Sequence, residues 1–143
     1  MASKNIKEDM VINGALTVNK SLTLASTVIA SGSAPSLAAG AGAGTGPTVT
    51  LGANSSDLAG SISVTTGTIP TLSAVIVTLT YAAGAFPHGS IVILTAGNSA
   101  TAGLNSTGMV FPTGSSTTFT ITAGTVALAA ATTYVWNYLV VGN

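Results

Sequence analysis

The chain has 143 residues, of which 47% are apolar and only 4% charged, three basic against three acidic, with no cysteine. Such an apolar share excludes an intrinsically disordered protein. The charge balance leaves no electrostatic handle for nucleic acid or anionic lipid, and the missing cysteine removes disulfides and thiolate metal sites.

Mean hydropathy is high, at +0.66. Thr, Ser, Asn or Gly nevertheless interrupts every apolar run before the ~18 residues of a membrane helix, so no membrane insertion is expected. Five of the six charges (Lys4, Lys7, Glu8, Asp9 and Lys20) fall in the first twenty residues, and Asp57 is the sixth. Residues 1–9 carry mixed charge around Ile6, which predicts a flexible arm. They lack the apolar core of a secretory signal, so synthesis and folding are expected in the cytosol.

Residues 10–30 repeat every six positions. Met10/Ile12, Leu16/Val18, Leu22/Leu24 and Val28/Ala30 form apolar pairs in phase, with breaks at Gly14, Lys20 and Ser26. All eight paired positions are even-numbered, so a strand of period two places them on one face and Thr17, Asn19, Ser21, Thr23 and Thr27 on the other. A lone strand of this kind has nothing to bury against, which predicts a shaft made by several copies of the chain.

From residue 31 to residue 46, small residues replace the periodic pattern, as in a linker or an extended segment lying on another surface. The GAGAGTG run (Gly40–Gly46) completes neither phosphate-binding glycine spacing and no Lys follows it, so it reads as a close-packed or flexible connector.

Residues 47–143 read as a head domain of short Thr/Val/Ile-rich strands. The candidates are Thr48–Leu51, Gly60–Thr66, Ala74–Tyr81, Ser90–Thr95, Gly108–Phe111, Thr117–Thr122 and Thr133–Val141. Gly, Asn, Ser and Pro mark the turns between them, including Gly84–Gly89, Gly97–Asn105 and Pro112–Ser115. This spacing predicts an all-β fold with an antiparallel, jelly-roll-like sandwich and little helix, even in Thr125–Ala131.

In the last strand Tyr134, Trp136, Tyr138 and Val140 share one face, while Val135, Asn137, Leu139 and Val141 share the other. Apolar residues on both sides predict a central strand covered on both faces. Trp136, Tyr134 and Tyr138 are the expected core anchors. Asn137 is expected to bond another chain or a loop backbone.

The chain resembles bacteriophage and other viral fibre proteins, in which repeats of the form T-V-N-G-x-L-T-V build a trimeric β shaft ahead of a compact β-sandwich head. The matching residues are Asn13–Leu24 in the shaft, and Gly42–Thr68, Ile91–Gly103 and Thr132–Val141 in the head. The resemblance implies a homotrimer with Leu16, Val18, Leu22, Leu24 and Val28 at the three-fold axis. Tail fibres are usually much longer, so a head fibre or capsid-decorating trimer is expected, placed on the virion surface after assembly in the host cytoplasm. The alternatives are the receptor-binding tip of a tail fibre and, failing both, a carbohydrate-binding module.

No catalytic chemistry is expected. His88, in a turn between Pro87 and Gly89, is the only histidine, and Asp57 is the only carboxylate of the head. The pair of carboxylates needed for glycoside hydrolysis is therefore missing there. A triad of His88 and Asp57 with one of many serines, or a three-fold His88 metal site, has only residue availability behind it, and no cofactor or metal is expected. The expected partners are the chain itself, a viral capsid or tail protein, and a host-surface glycan met by the loops Gly97–Ser106 or Phe86–Gly89. Attachment to the particle falls to Lys4, Ile6, Lys7, Glu8 and Asp9, the one segment whose charge gives orientation.

Overall fold

The computed structural model describes Ser21, residues 29–30, 32–84, 86–106 and 109–142. Among these residues there are eight strands, one α-helix and a single 3₁₀ turn at Ala41–Ala43. The strands are β1 (Ser36–Ala39), β2 (Thr48–Leu51), β3 (Ala59–Thr65), β4 (Val75–Thr80), β5 (Ser90–Ala96), β6 (Val110–Gly114), β7 (Thr118–Ala123) and β8 (Thr133–Gly142). They form two four-stranded sheets, ordered β1-β4-β7-β6 and β2-β3-β8-β5. Every pairing is antiparallel.

Alternation explains most of this. On β3, Ile62 and Val64 are fully buried, and on β7 Phe119, Ile121 and Ala123 are. The threonines and serines between them face outward. β4 departs from strict alternation, because Ile76 and Val77 are both buried. A register shift between Val75 and Val77 accounts for it, since a bulge turns two successive side chains inward.

The two sheets meet through rings. Phe119 of β7 lies 5.4 Å from Tyr138 of β8, centroid to centroid. Trp136 stacks on Tyr134 at 5.9 Å with 25° between the planes. Tyr134, Trp136, Tyr138 and Val140 all point into the core, and each such side chain stabilises the fold by about 1.5–3 kcal/mol relative to exposure.

Three parts of the sequence reading need correction. The stretch 31–46 is not simply a linker, because Ser36–Ala39 pairs with β4 as an edge strand. The glycines after it let the backbone press onto the sheet: a Cβ on Gly40 would come within 2.2 Å of the Val75 carbonyl oxygen, and one on Gly42 within 2.5 Å of that of Ala74. Pro112, read as a turn, lies inside β6. That strand is the edge of its sheet, where a residue lacking N–H is tolerated. Finally, the turn predicted at Gly97–Asn105 contains helix α1, Ser99–Ser106.

Candidate interaction surfaces

The register fixes which loops share an end of the sandwich. Ser36, opening β1, pairs with Thr80, closing β4, and Ser90, opening β5, pairs with Gly142 of β8. The Tyr81 hydroxyl lies 2.7 Å from that of Ser90, and Ser90 donates to the Ser115 carbonyl at 2.9 Å. The chain therefore enters the sandwich at the end that also carries loops 52–58, 81–89 and 115–117.

Asp57 organises this end. Its Oδ1 accepts the Ala82 N–H at 2.8 Å and its Oδ2 the Ala83 N–H at 2.7 Å. At 8% exposure it ties the β2–β3 loop to the β4–β5 loop. Phe86 packs edge-on against Tyr81, with centroids 4.8 Å apart. A cleft of about 280 Å³ opens between Ser33, Asp57, Leu58, Ala83 and Phe86. Burial pushes the Tyr81 hydroxyl above its ordinary pKa of 10, the bond with Ser90 working against this and the Asp57 charge adding to it.

At the opposite end Asn98 caps α1. Its Oδ1 accepts from the Thr101 N–H at 3.0 Å and from the Thr101 hydroxyl at 2.8 Å, while its Nδ2 donates to the Thr133 carbonyl at 2.8 Å. Thr101, fully buried, accepts the Val135 N–H at 2.8 Å. An Asn three residues ahead of a helical N–H is the usual N-cap arrangement, and this was the available sequence signal. Short Ala/Ser/Gly-rich composition without apolar periodicity hid the helix. The two loops read as receptor contacts, Gly97–Ser106 and Phe86–Gly89, thus lie at opposite ends of β5, and the first is largely helical.

A third surface is the outer face of the β2-β3-β8-β5 sheet. Ile91 pairs with Val141 and Ile93 with Leu139. These four side chains are 56%, 50%, 50% and 47% exposed, in the order Ile91, Val141, Ile93, Leu139. The next rung is Thr95 opposite Asn137, both exposed. β8 is central in its sheet, but within one chain only its inner face is covered, which corrects the expectation of cover on both sides. Among the described residues no loop backbone takes up the Asn137 side chain either, which stands exposed on the open face.

Trp136, Tyr134 and Tyr138 are buried. Tyr138 donates to the Ser56 carbonyl at 2.6 Å, and Tyr134 accepts the Ala129 N–H at 3.1 Å. His88 is exposed in its turn. Among the described residues no three His, Cys, Asp or Glu side chains gather as a metal site, and no helix is long and apolar enough to cross a membrane. Leu16, Val18, Leu22, Leu24 and Val28, expected at an axis, and Lys4, Ile6, Lys7, Glu8 and Asp9, expected in attachment, lie outside the described residues. Compared with protein families, with curated proteins and with solved structures, the chain matches none.

Proposed function

We propose that this protein is a non-enzymatic structural component of a virion, a homotrimeric head fibre or capsid-decoration protein attached through its N-terminal residues. The observation that supports this most is the separation of roles along the chain. Lys4, Lys7, Glu8, Asp9 and Lys20 carry all but one of the charges. The sixth, Asp57, is consumed by two backbone N–H groups within the head. Asp57 apart, the head has no Lys, Arg, Asp or Glu, a composition poor at choosing one orientation on a particle by electrostatics. The arm supplies that choice, and three copies acting together offset the entropic cost of ordering it.

The six-residue repeat of residues 10–30 supplies the trimer, with Leu16, Val18, Leu22, Leu24 and Val28 facing the axis. Eight strands in two sheets of four match the strand count of a jelly roll, the architecture expected of such a head. The end of the sandwich away from residues 32–35 is the one placed to meet a host-surface glycan, which keeps the tail-fibre tip as the second reading.

Deleting Met1–Asp9 tests the proposal. The truncated chain is expected to remain a soluble trimer by sedimentation and to fail to join particles in an assembly reaction. Normal incorporation would overturn the assignment of the arm, and a stable monomer of the intact chain at micromolar concentration would overturn the trimer.

A further inference from the structure

We propose that the cleft beside Asp57 is a binding site for a primary ammonium group carried on an aliphatic stem, the chemistry of a lysine side chain. This inference concerns the head alone and is tested apart from the trimer and particle readings above.

The carboxylate is its first ground. Asp57 is 8% exposed, and it is the only Asp or Glu among the described residues, which include no Lys or Arg. The N–H groups of Ala82 and Ala83 give it hydrogen bonds, but neutral donors leave its negative charge in place. A buried charge without a counter-charge is costly. The field of this one reaches its neighbours, since it helps to raise the pKa of the Tyr81 and Tyr138 hydroxyls. The only imidazole, that of His88, stands exposed in its turn.

The bonding pattern then selects the kind of cation. Of the about four acceptor positions on a carboxylate, the two backbone N–H groups fill one on Oδ1 and one on Oδ2. A planar guanidinium binds best through two parallel bonds to both oxygens, an arrangement that the two amides already take up. An ammonium acts as a point charge and needs a single oxygen.

The walls suit the stem. The cleft, of about 280 Å³, is bounded by Ser33, Asp57, Leu58, Ala83, Gly84 and Phe86, slightly below the roughly 300–1,000 Å³ of sites for drug-sized ligands. Leu58, 44% exposed, offers apolar surface to methylene groups. The ring of Phe86, held edge-on against Tyr81, adds an aromatic wall beside the carboxylate, a pairing that favours a cation over a neutral group. A Cβ on Gly84 would meet nothing within 4 Å, so this lip of the cleft is open.

Two sources carry the required amine. All three lysines of the chain, Lys4, Lys7 and Lys20, precede Ser33, which itself lines the cleft. A lysine of a second protein bound at this end is the other source.

The probes are n-butylammonium chloride and neutral n-butanol, followed by amide NMR at Ala82 and Ala83 in the full-length chain and in a variant combining Lys4→Met, Lys7→Met and Lys20→Met. Butylammonium is expected to shift both amides saturably in the triple variant, and butanol to leave them unmoved. Asp57→Asn, added to that variant, should weaken binding by about tenfold or more, and Phe86→Ala should weaken it with the fold intact by circular dichroism. If the unmodified chain binds butylammonium far more weakly than the triple variant, one of its own lysines holds the cleft. Equal binding by the two means that the amine comes from another protein. The absence of a saturable shift in the triple variant overturns the inference, as does a response to butanol equal to that with butylammonium. The comparison of the two probes decides the matter even where Asp57→Asn fails to fold.

Discussion

The phenol of Tyr138 on β8 donates a 2.6 Å hydrogen bond to the carbonyl oxygen of Ser56 in the β2–β3 loop. This bond crosses 82 residues of sequence, and it locks the strand carrying Trp136 to the loop carrying Asp57. Ionising the phenol would remove the donor and place a negative charge beside a carbonyl.

A pH dependence follows. Burial, opposed by a bond with Ser55 and helped by the negative charge of Asp57, pushes Tyr138 up to about 12 from an ordinary value of 10. A group whose pKa is raised on folding contributes stability that is complete below its unfolded value and is lost as pH rises through its folded value. The head should therefore lose on the order of 1–2 kcal/mol between pH 10 and 12, a figure reduced for partial screening by solvent. Denaturation midpoints measured across that range check this. Tyr138→Phe should be less stable at neutral pH and show a flatter profile.

Asp57 gives a second test. Each carboxylate oxygen takes one backbone N–H, of Ala82 or Ala83. Asp57→Asn keeps one acceptor and sets an N–H₂ group against the other N–H, so it should cost about 1.5–3 kcal/mol. Hydrogen exchange at Ala82 and Ala83 should accelerate more than in the core strands. Because the Asp57 charge helps raise Tyr138, the same variant should lower the Tyr138 pKa, readable by ultraviolet titration.

Seven strands were legible because Val, Ile and Leu alternate with Thr and Ser wherever one sheet face is buried, as in Thr118–Ala123 and Ala59–Thr65. Legibility ended where small residues made both faces alike. β1 is SLAA, whose sheet position is set by pairing with β4 and by glycines that allow close approach, not by apolar contrast. α1 owes its place to Asn98 and Thr101, whose hydrogen bonds reach Thr133 and Val135 more than thirty residues away. Asp57 was visible as the only head carboxylate, but its role depends on a loop that folds back from 25 residues on. The apolar outer face of β8 was read correctly as apolar and wrongly as covered, since alternation shows which residues share a face and not what lies on it.

Trp136 carries a cost as well as a gain. It is fully buried and stacked on Tyr134, yet its indole Nε1 finds no acceptor among the described residues. Trp136→Ala should cost roughly 3–5 kcal/mol through the cavity it leaves. Trp136→Phe keeps much of the ring and removes the unsatisfied donor, whose burial itself costs about 1–3 kcal/mol, so its net loss should be less than half that of the alanine variant. Urea midpoints for the two variants decide the matter, and equal losses would mean that the indole N–H finds a partner in solution.

The cap of α1 makes the sharpest structural prediction, because one side chain serves two elements. Asn98 holds the first turn of the helix through Thr101 and holds β8 through Thr133. An N-cap alone is worth about 0.5–2 kcal/mol, so a loss confined to that range would mean that only the helix depends on it. Asn98→Asp keeps the acceptor for Thr101 and sacrifices the donor to Thr133; Asn98→Ala loses both. Thr101→Val leaves the Val135 N–H, now bonded at 2.8 Å, with only the longer 3.4 Å contact to Asn98. The expected order of destabilisation is Asn98→Ala largest, at about 2–3 kcal/mol, then Thr101→Val, then Asn98→Asp. Exchange of the Val135 amide should quicken in Thr101→Val and remain slow in Asn98→Asp. An Asn98→Asp variant as unstable as Asn98→Ala would show instead that the bond to Thr133, rather than the cap, secures this end of the sandwich.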